Sequence, residues 1–280
     1  MTYTFVPFIF SMKQSFSGKV VWITGASSGI GEALVHSFAK LGSTIILTAR
    51  REEELKRVQS EANLTNENSL ILPLDLYHTE GIASAIEKII QKFGTIDILV
   101  CNAGVVQRFG VNESTIEVDR QIMELNFFAV TTLTKNVLPI MLSKKSGHIV
   151  AISSVMGKIS LPNRSMYAAS KHALHGFFDA LRIEVFRKNI GVTVICPGYV
   201  KTNISINALN AEGKKYGKMD KGQENGISPE KCANAIISGI QRNKDEVYVG
   251  GKELLAITFK RLFPRLFLYV VKRVASKNMH

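Results

Sequence analysis

Continuously apolar, β-branched runs recur along most of the chain: KVVWITG (19–25), STIILTAR (43–50), SLILPLD (69–75), IDILVCNAG (96–104), GHIVAISS (147–154) and IGVTVICPG (190–198). A strand with one wet face alternates apolar and polar residues, whereas a strand covered on both faces needs unbroken hydrophobicity. Between these runs, residues 30–41, 52–63, 79–93, 116–142 and 165–188 carry the periodicity of amphipathic helices. The alternation predicts an α/β fold, a doubly wound parallel sheet with helices on both faces. No linker or repeat breaks the pattern before residue 200, so one domain is expected over 18–251. The stretch 202–226 is polar and glycine-rich and reads as a long mobile excursion. After it, Ser228 and Pro229 form an N-cap and first helical position, and EVYVGG (246–251) reads as a last strand.

The ends of the chain follow a different pattern. Residues 1–17 begin with the uncharged MTYTFVPFIFSM, too short to span a bilayer and without the basic start of a signal peptide. They read as a loose arm packed on the body or as an interfacial anchor. Residues 252–280 mix apolar and basic side chains around Pro264, with no uncharged run longer than six residues between 254 and 274. A helix broken at the proline, lying in a membrane interface with snorkelling basic residues, fits that pattern. So does a helix docked on its own subunit or a dimer partner.

Charge and composition sharpen this reading. Seven basic residues against Glu253 leave +6 of the total +12 in the last thirty positions. No nucleic-acid motif accompanies that charge, so a membrane surface is the expected partner and nucleic acid is not. Cys101, Cys196 and Cys232 are scattered, with no CxxC, which suits a reducing compartment and buried packing. His148, His172 and His175 have no ligand spacing, and no metal is expected.

The candidate chemistry lies at the ends of the apolar runs. TGASSGIGEAL places Gly25, Gly29 and Gly31 between the first strand and first helix, where exposed amides favour a pyrophosphate. The second strand ends in Arg50 and Arg51, where an acidic residue would select NAD, so NADP(H) is expected ahead of NAD(H). Asp75 and Leu76 follow the third strand, where the adenine edge would lie. Tyr167 and Lys171 are one helical turn apart on one face. Making the phenol a proton relay near neutrality means lowering its pKa by roughly 3 units, about 4 kcal/mol. Lys171 is expected to supply much of that.

TGASSGIG, NAG (102–104), SS (153–154), YAASK (167–171) and PG (197–198), in this order from about residue 19 to residue 250, resemble the short-chain dehydrogenase/reductase (SDR) family. GHIVAISS, YAASKHAL, PGYVKTN and YGKMD are most similar to its membrane-associated branch called member 7, especially the 7B type. The resemblance implies a single-domain Rossmann-type fold and an NAD(P)-dependent oxidoreductase acting on CH–OH groups. It implies a catalytic set of Asn126, Ser154, Tyr167 and Lys171, with Ser154 also holding the substrate oxygen. It extends the cofactor set to Ser27, Ser28, Ile30, Asn102, Ala103, Gly104, Pro197, Gly198, Val200 and Thr202, beside Tyr167 and Lys171. Cys101 departs from the family, where many members carry asparagine. The implied substrate is a steroid, retinoid or similar lipid-like carbonyl or alcohol, or alternatively an acyl- or alkyl-dihydroxyacetone phosphate. A non-catalytic NADP(H) sensor or scaffold would show a decayed catalytic residue, and all four positions are filled. The Phe-Phe pairs at 127–128 and 177–178 lie on helices the family uses for dimerisation, which implies a homodimer or homotetramer. The expected location is intracellular and membrane-associated, endoplasmic reticulum or peroxisome in a eukaryote and cytoplasm otherwise.

Overall fold

The apolar runs become β1 (Val20–Thr24), β2 (Thr44–Ala49), β3 (Ser69–Pro73), β4 (Ile98–Cys101), β5 (Gly147–Ile152), β6 (Ile190–Pro197) and β7 (Glu246–Val249). Between and after them lie α1 (Gly29–Lys40), α2 (Glu52–Glu61), α3 (Gly81–Phe93), α4 (Ile116–Met123), α5 (Ala129–Lys144), α6 (Ser165–Glu184), α7 (Lys221–Glu224), α8 (Pro229–Gln241), α9 (Leu255–Leu262) and α10 (Pro264–Asn278). The computed structural model describes residues 15–278, so the apolar arm read at 1–17 falls almost wholly outside the described residues.

The strands form one sheet in the order β3-β2-β1-β4-β5-β6-β7, every neighbouring pair parallel. Alternate strand residues feed two cores. Val21 and Ile23 of β1 face Leu34 and Phe38 of α1, Leu55 of α2 and Ile236 of α8. Val20 and Trp22 face the other side, where Ile89 of α3, Val137 of α5 and Phe178 of α6 gather. Trp22 is fully buried yet satisfied, its indole N–H donating to Thr48 Oγ1 at 2.8 Å. At the start of α8, Ser228 Oγ accepts from the Lys231 N–H at 3.2 Å, the cap its sequence announces.

The structure departs from the pattern in places that matter. The helix expected over 116–142 runs to Lys144 but widens into a π turn over Glu124–Phe128. This rod is long and apolar enough to cross a membrane by composition, but Leu133, Val137 and Met141 pack it on the sheet. A short 3-10 turn over Val155–Gly157 follows β5 with no sequence signal. The excursion after residue 200 is tied to the body by bridges Gln107–Leu209 and Val200–Ile227. The C-terminal segment is two helices parted before Pro264, as the proline requires. Phe259 and Phe267 stack edge-on at 5.9 Å, and Phe267 packs with Met156, Ile159 and Tyr167. The inner faces are therefore docked on the chain's own body, while Leu262, Phe263, Leu266, Leu268 and Tyr269 stay exposed.

Candidate active site

The strand order reverses between β1 and β4, and the crevice beyond their C-terminal ends is where ligands bind in sheets of this kind. The glycine turn lies there. Gly25 and Gly29 adopt φ of +66° and +60°, a region that disfavours side chains. A Cβ on Gly25 would stand 2.8 Å from Asn102 Nδ2, and one on Gly29 would stand 2.9 Å from Thr202 Cγ2. Asn102 and Ala103 are fixed against the turn because Thr24 Oγ1 accepts from both backbone amides, at 3.0 and 3.1 Å. Asn102 Nδ2 donates to Thr24 O at 2.9 Å.

Gly25, Ser27, Ser28, Gly29, Ile30, Arg50, Arg51, Asp75, Leu76, Asn102, Ala103, Gly104 and Thr202 all border one cavity of about 920 Å³. Gly31 lies beneath the turn rather than on the cavity wall, against Gly25 O and Asn102. Arg51 Nη2 reaches Ser27 Oγ at 3.5 Å, and Arg50 lies 5.8 Å over the Tyr77 ring. A dinucleotide fits this site: the room is sufficient, Gly29 holds a left-handed turn that favours glycine, and α1 begins at the turn with its first amides free.

A smaller cavity of about 150 Å³ adjoins it, sharing Ile30, Asn102, Gly104, Thr202 and Ile204. Ser154, Tyr167, Lys171, Pro197, Gly198 and Val200 line this second space, with Val106, Met156, Ile159 and Leu161 as its apolar wall. Ser154 and Tyr167 lie on this wall together, and Ser154 is among the groups that favour the phenolate. Lys171 Nζ stands 5.8 Å over the Tyr167 ring and donates to Ile152 O at 2.8 Å. Asn126, swung inward by the π turn, is fully buried. Its Oδ1 accepts from Val105 N at 2.8 Å, and its Nδ2 donates to Val105 O and to Ser170 Oγ. The side chain is thus satisfied by the body, and the Asn126 carboxamide faces the same Gly104 edge as Lys171 Nζ.

One electrostatic expectation is corrected. Burial pushes the Tyr167 phenol up, and the groups drawing it down are Ser154, Arg164 and Arg108, not Lys171. Burial outweighs all else at Lys171 too, pushing its ammonium down to about 8. The two arginines carry no motif and were not foreseen. Arg108 and Arg164 line the small cavity and share one carboxylate, Asp220 Oδ2, at 3.1 and 2.7 Å. Glu253 was also missed: its Oε1 accepts from the Tyr199 and Gly251 amides at 3.0 and 2.9 Å and braces the Pro197–Gly198 turn. His148, His172 and His175 lie apart in three separate hydrogen-bonding environments.

A parallel doubly wound sheet with a glycine turn at its switch point and a Ser–Tyr–Lys cluster beside it defines a nicotinamide-dependent oxidoreductase. The short-chain dehydrogenase family model matches residues 19–213, and the chain belongs to that family as an NAD(P)-dependent dehydrogenase/reductase. Among its relatives, a dehydrogenase/reductase SDR family protein 7-like of Anopheles gambiae is 43% identical over 270 residues, 94% of this chain and 85% of that one. The dehydrogenase/reductase SDR family member 7B of Bos taurus is 40% identical over 274 residues, 95% of this chain and 84% of that one. A metagenomic short-chain oxidoreductase solved in complex with NADP superposes with a TM-score of 0.70 at 28% identity, covering 84% of this chain and 98% of the other.

Proposed function

We propose that the protein interconverts a carbonyl and a secondary alcohol on a hydrophobic small molecule, using NADP(H), with Tyr167 as general acid/base. The observation that carries this is buried Tyr167, which with Ser154 and Lys171 lines a largely apolar cavity that adjoins the nucleotide crevice. The cofactor supplies or accepts a hydride when bound. The turn from Gly25 to Gly31, with Ser27, Ser28 and Ile30, receives its pyrophosphate; Arg50 and Arg51 take the 2′-phosphate; Asp75 and Leu76 take the adenine. Asn102–Gly104, Lys171 and the Pro197, Gly198, Val200 and Thr202 backbone hold the nicotinamide end.

In the reducing direction, the Ser154 and Tyr167 hydroxyls both donate to the substrate oxygen. Tyr167 then gives up its proton to the developing alkoxide. Arg108 and Arg164 offset the phenolate that remains. Lys171 and Asn126 lie on the route by which a solvent proton restores it. The test is NADPH oxidation against a steroid ketone, retinal, an aromatic quinone and an acyl-dihydroxyacetone phosphate. Turnover of a neutral apolar carbonyl supports this reading. Tight NADPH binding with no turnover on any of them would favour a sensor or scaffold.

A second reading has its own support. Arg108, Arg164 and Lys171 at this cavity outnumber the carboxylates of Asp220 and Glu253, which leaves positive charge beside Tyr167. That favours an anionic ketone such as acyl- or alkyl-dihydroxyacetone phosphate. Strong preference for that member of the panel would select it.

Cofactor choice makes its own prediction. Arg51→Ala should raise the Kd for NADPH about tenfold, the scale of one charge-assisted hydrogen bond at an exposed site, and move NADH by less than twofold. Equal effects on both, read by fluorescence titration, would refute the NADP(H) assignment.

Membrane contact is proposed for the outer side of α9 and α10. There Leu262, Phe263, Leu266 and Tyr269 are exposed among Arg261, Arg265, Lys272 and Arg273. Anionic vesicles should sediment the protein, with each of Arg261→Glu, Arg265→Glu and Lys272→Glu lowering the partition at least about fivefold. Failure of the wild type to bind such vesicles at low salt would sink the idea. Ile116 and Phe128, with Ile183 on α6 and Phe186 in the turn after it, are exposed apolar residues that fit a homodimer or homotetramer. An intracellular, membrane-associated location accords with these features.

A further inference from the structure

Three consecutive residues at the end of β5 each engage a different part of α6. Ile152 O accepts from Lys171 Nζ, and Ser154 lines the small cavity with Tyr167. Between them, Ser153 Oγ lies 3.2 Å from the main-chain oxygen of Lys171 and 3.1 Å from His175 Nε2. His175 is one turn beyond Lys171, and its Nδ1 sits 3.0 Å from Glu246 Oε1 on β7. Glu246 also receives Lys158 Nζ at 2.6 Å and the Tyr248 hydroxyl. A hydrogen-bonded chain therefore runs from the sheet edge to the helix that carries Tyr167 and Lys171. No step of the proposed reaction uses it.

The donors fix its logic. An ionised Glu246 only accepts, so Nδ1 carries a proton. Nε2 is then either bare, accepting the Ser153 O–H, or protonated, donating to Ser153 Oγ and turning that hydroxyl to the Lys171 carbonyl. Space for other partners is scarce. A Cβ on Gly157 would fall 2.6 Å from Ser153 Oγ and 2.8 Å from His175 Nε2.

We propose that His175, braced by Glu246 and bonded to Ser153, is a positioning residue for Lys171 and Tyr167: with its proton on Nδ1 alone it takes the Ser153 hydroxyl and sets the register of the β5 end on α6, and a second proton turns that hydroxyl onto the Lys171 carbonyl and shifts the register. This rests on the carbonyl–alcohol reading only for its effect on turnover, because the state of the ring can be read without it. The charged and titratable groups around the ring are Glu246 and Tyr248 from β7, Lys158 from the turn after β5, Cys196 from β6, and Asp179 and Lys171 from its own helix. Burial and Lys158 disfavour the cation more than Glu246 and Asp179 favour it. The neutral form prevails at neutral pH, and the cation forms only as pH falls below the ordinary histidine range.

The experiment is a long-range ¹H–¹⁵N spectrum of the full chain labelled on histidine, with His175→Gln assigning the signal. At pH 7.5 the ring should be the neutral Nδ1–H tautomer. In NADPH oxidation with an aromatic quinone, kcat should fall on the acid side with an inflection at the pH where that ring titrates. His175→Gln keeps an acceptor for Ser153 and a donor for Glu246, so it should stay folded and lose the inflection. Glu246→Gln should move the inflection to lower pH, because the carboxylate favours the ring cation. His175→Leu should lower kcat about tenfold with little change in the KM for NADPH. An Nε2–H or cationic ring at pH 7.5, or a wild-type inflection persisting in His175→Gln, would overturn the proposal. If the quinone is not turned over, that counts against the carbonyl reading, and the tautomer alone decides this one.

Discussion

Tyr167→Phe should lower kcat for carbonyl reduction by about 10³-fold while leaving the fold and NADPH binding nearly intact. The change removes one oxygen from a side chain packed among Val106, Met156, Ile159 and Phe267, so the ring keeps its place. The neighbouring Ser154 hydroxyl keeps the Met156 amide at 3.1 Å as a donor and Pro197 O at 3.4 Å as an acceptor. A stability change within about 1.5 kcal/mol is expected, no more than the scale of one hydrogen bond. Two measurements separate the contributions: NADPH titration by fluorescence for binding, and single-turnover absorbance decay for the transfer step. Retained turnover in the variant would mean that the proton comes from elsewhere, and the assignment of Tyr167 would fail. An equal loss of cofactor affinity would instead mark the hydroxyl as a binding group.

The sheet was legible because its strands are covered on both faces, and unbroken runs such as VVWIT and TIILTA admit few other structures. The turns were legible because glycines with positive φ and the closely packed Asn102 leave little freedom of residue type. Placement of Tyr167 and Lys171 on one face follows from four-residue spacing alone. What escaped has no local signal. The π turn at Glu124–Phe128 differs from an α-helix by one residue of register, which apolar periodicity does not resolve over five positions. Arg108, Arg164 and Asp220 meet across 56 and 112 positions, and an arginine at the cavity is spelled like one in solvent. The weight given to Lys171 as the tuner of Tyr167 was a matter of sequence proximity. Burial dominates both groups in the folded chain, and the two arginines act on the phenol from outside the helix turn that holds Lys171. The docking of the C-terminal segment was legible because its apolar side chains recur on one side of each helix around Pro264.

Gly31→Ala should be the most damaging single-methyl change in the cofactor region. Alanine is the better helix former by about 1 kcal/mol, so in an open helix the substitution stabilises. At Gly31 the added carbon would press almost onto the carbonyl oxygen of Gly25 and within 2.7 Å of Asn102 Nδ2. Neither neighbour can yield. Gly25 is backbone in a left-handed turn, and Asn102 is held by Thr24 through side chain and amide alike. The first turn of α1 must therefore lift from the ends of β1 and β4, opening the crevice where the pyrophosphate is expected. Overpacking of this kind costs about 2–3 kcal/mol, and NADPH affinity should drop at least tenfold with it. Gly176→Ala is the matched control, an exposed glycine within α6 with no atom closer than 4 Å to an added Cβ. It should raise stability by about 0.5–1 kcal/mol and leave cofactor binding as it is. Gly29→Ala falls between them, because it carries the strain of positive φ but meets only the Thr202 side chain, which can turn aside. Denaturant unfolding of the three variants, each with an NADPH titration, gives the ranking. Were Gly31→Ala to behave like Gly176→Ala, close packing at the turn would not be what holds the cofactor crevice in shape.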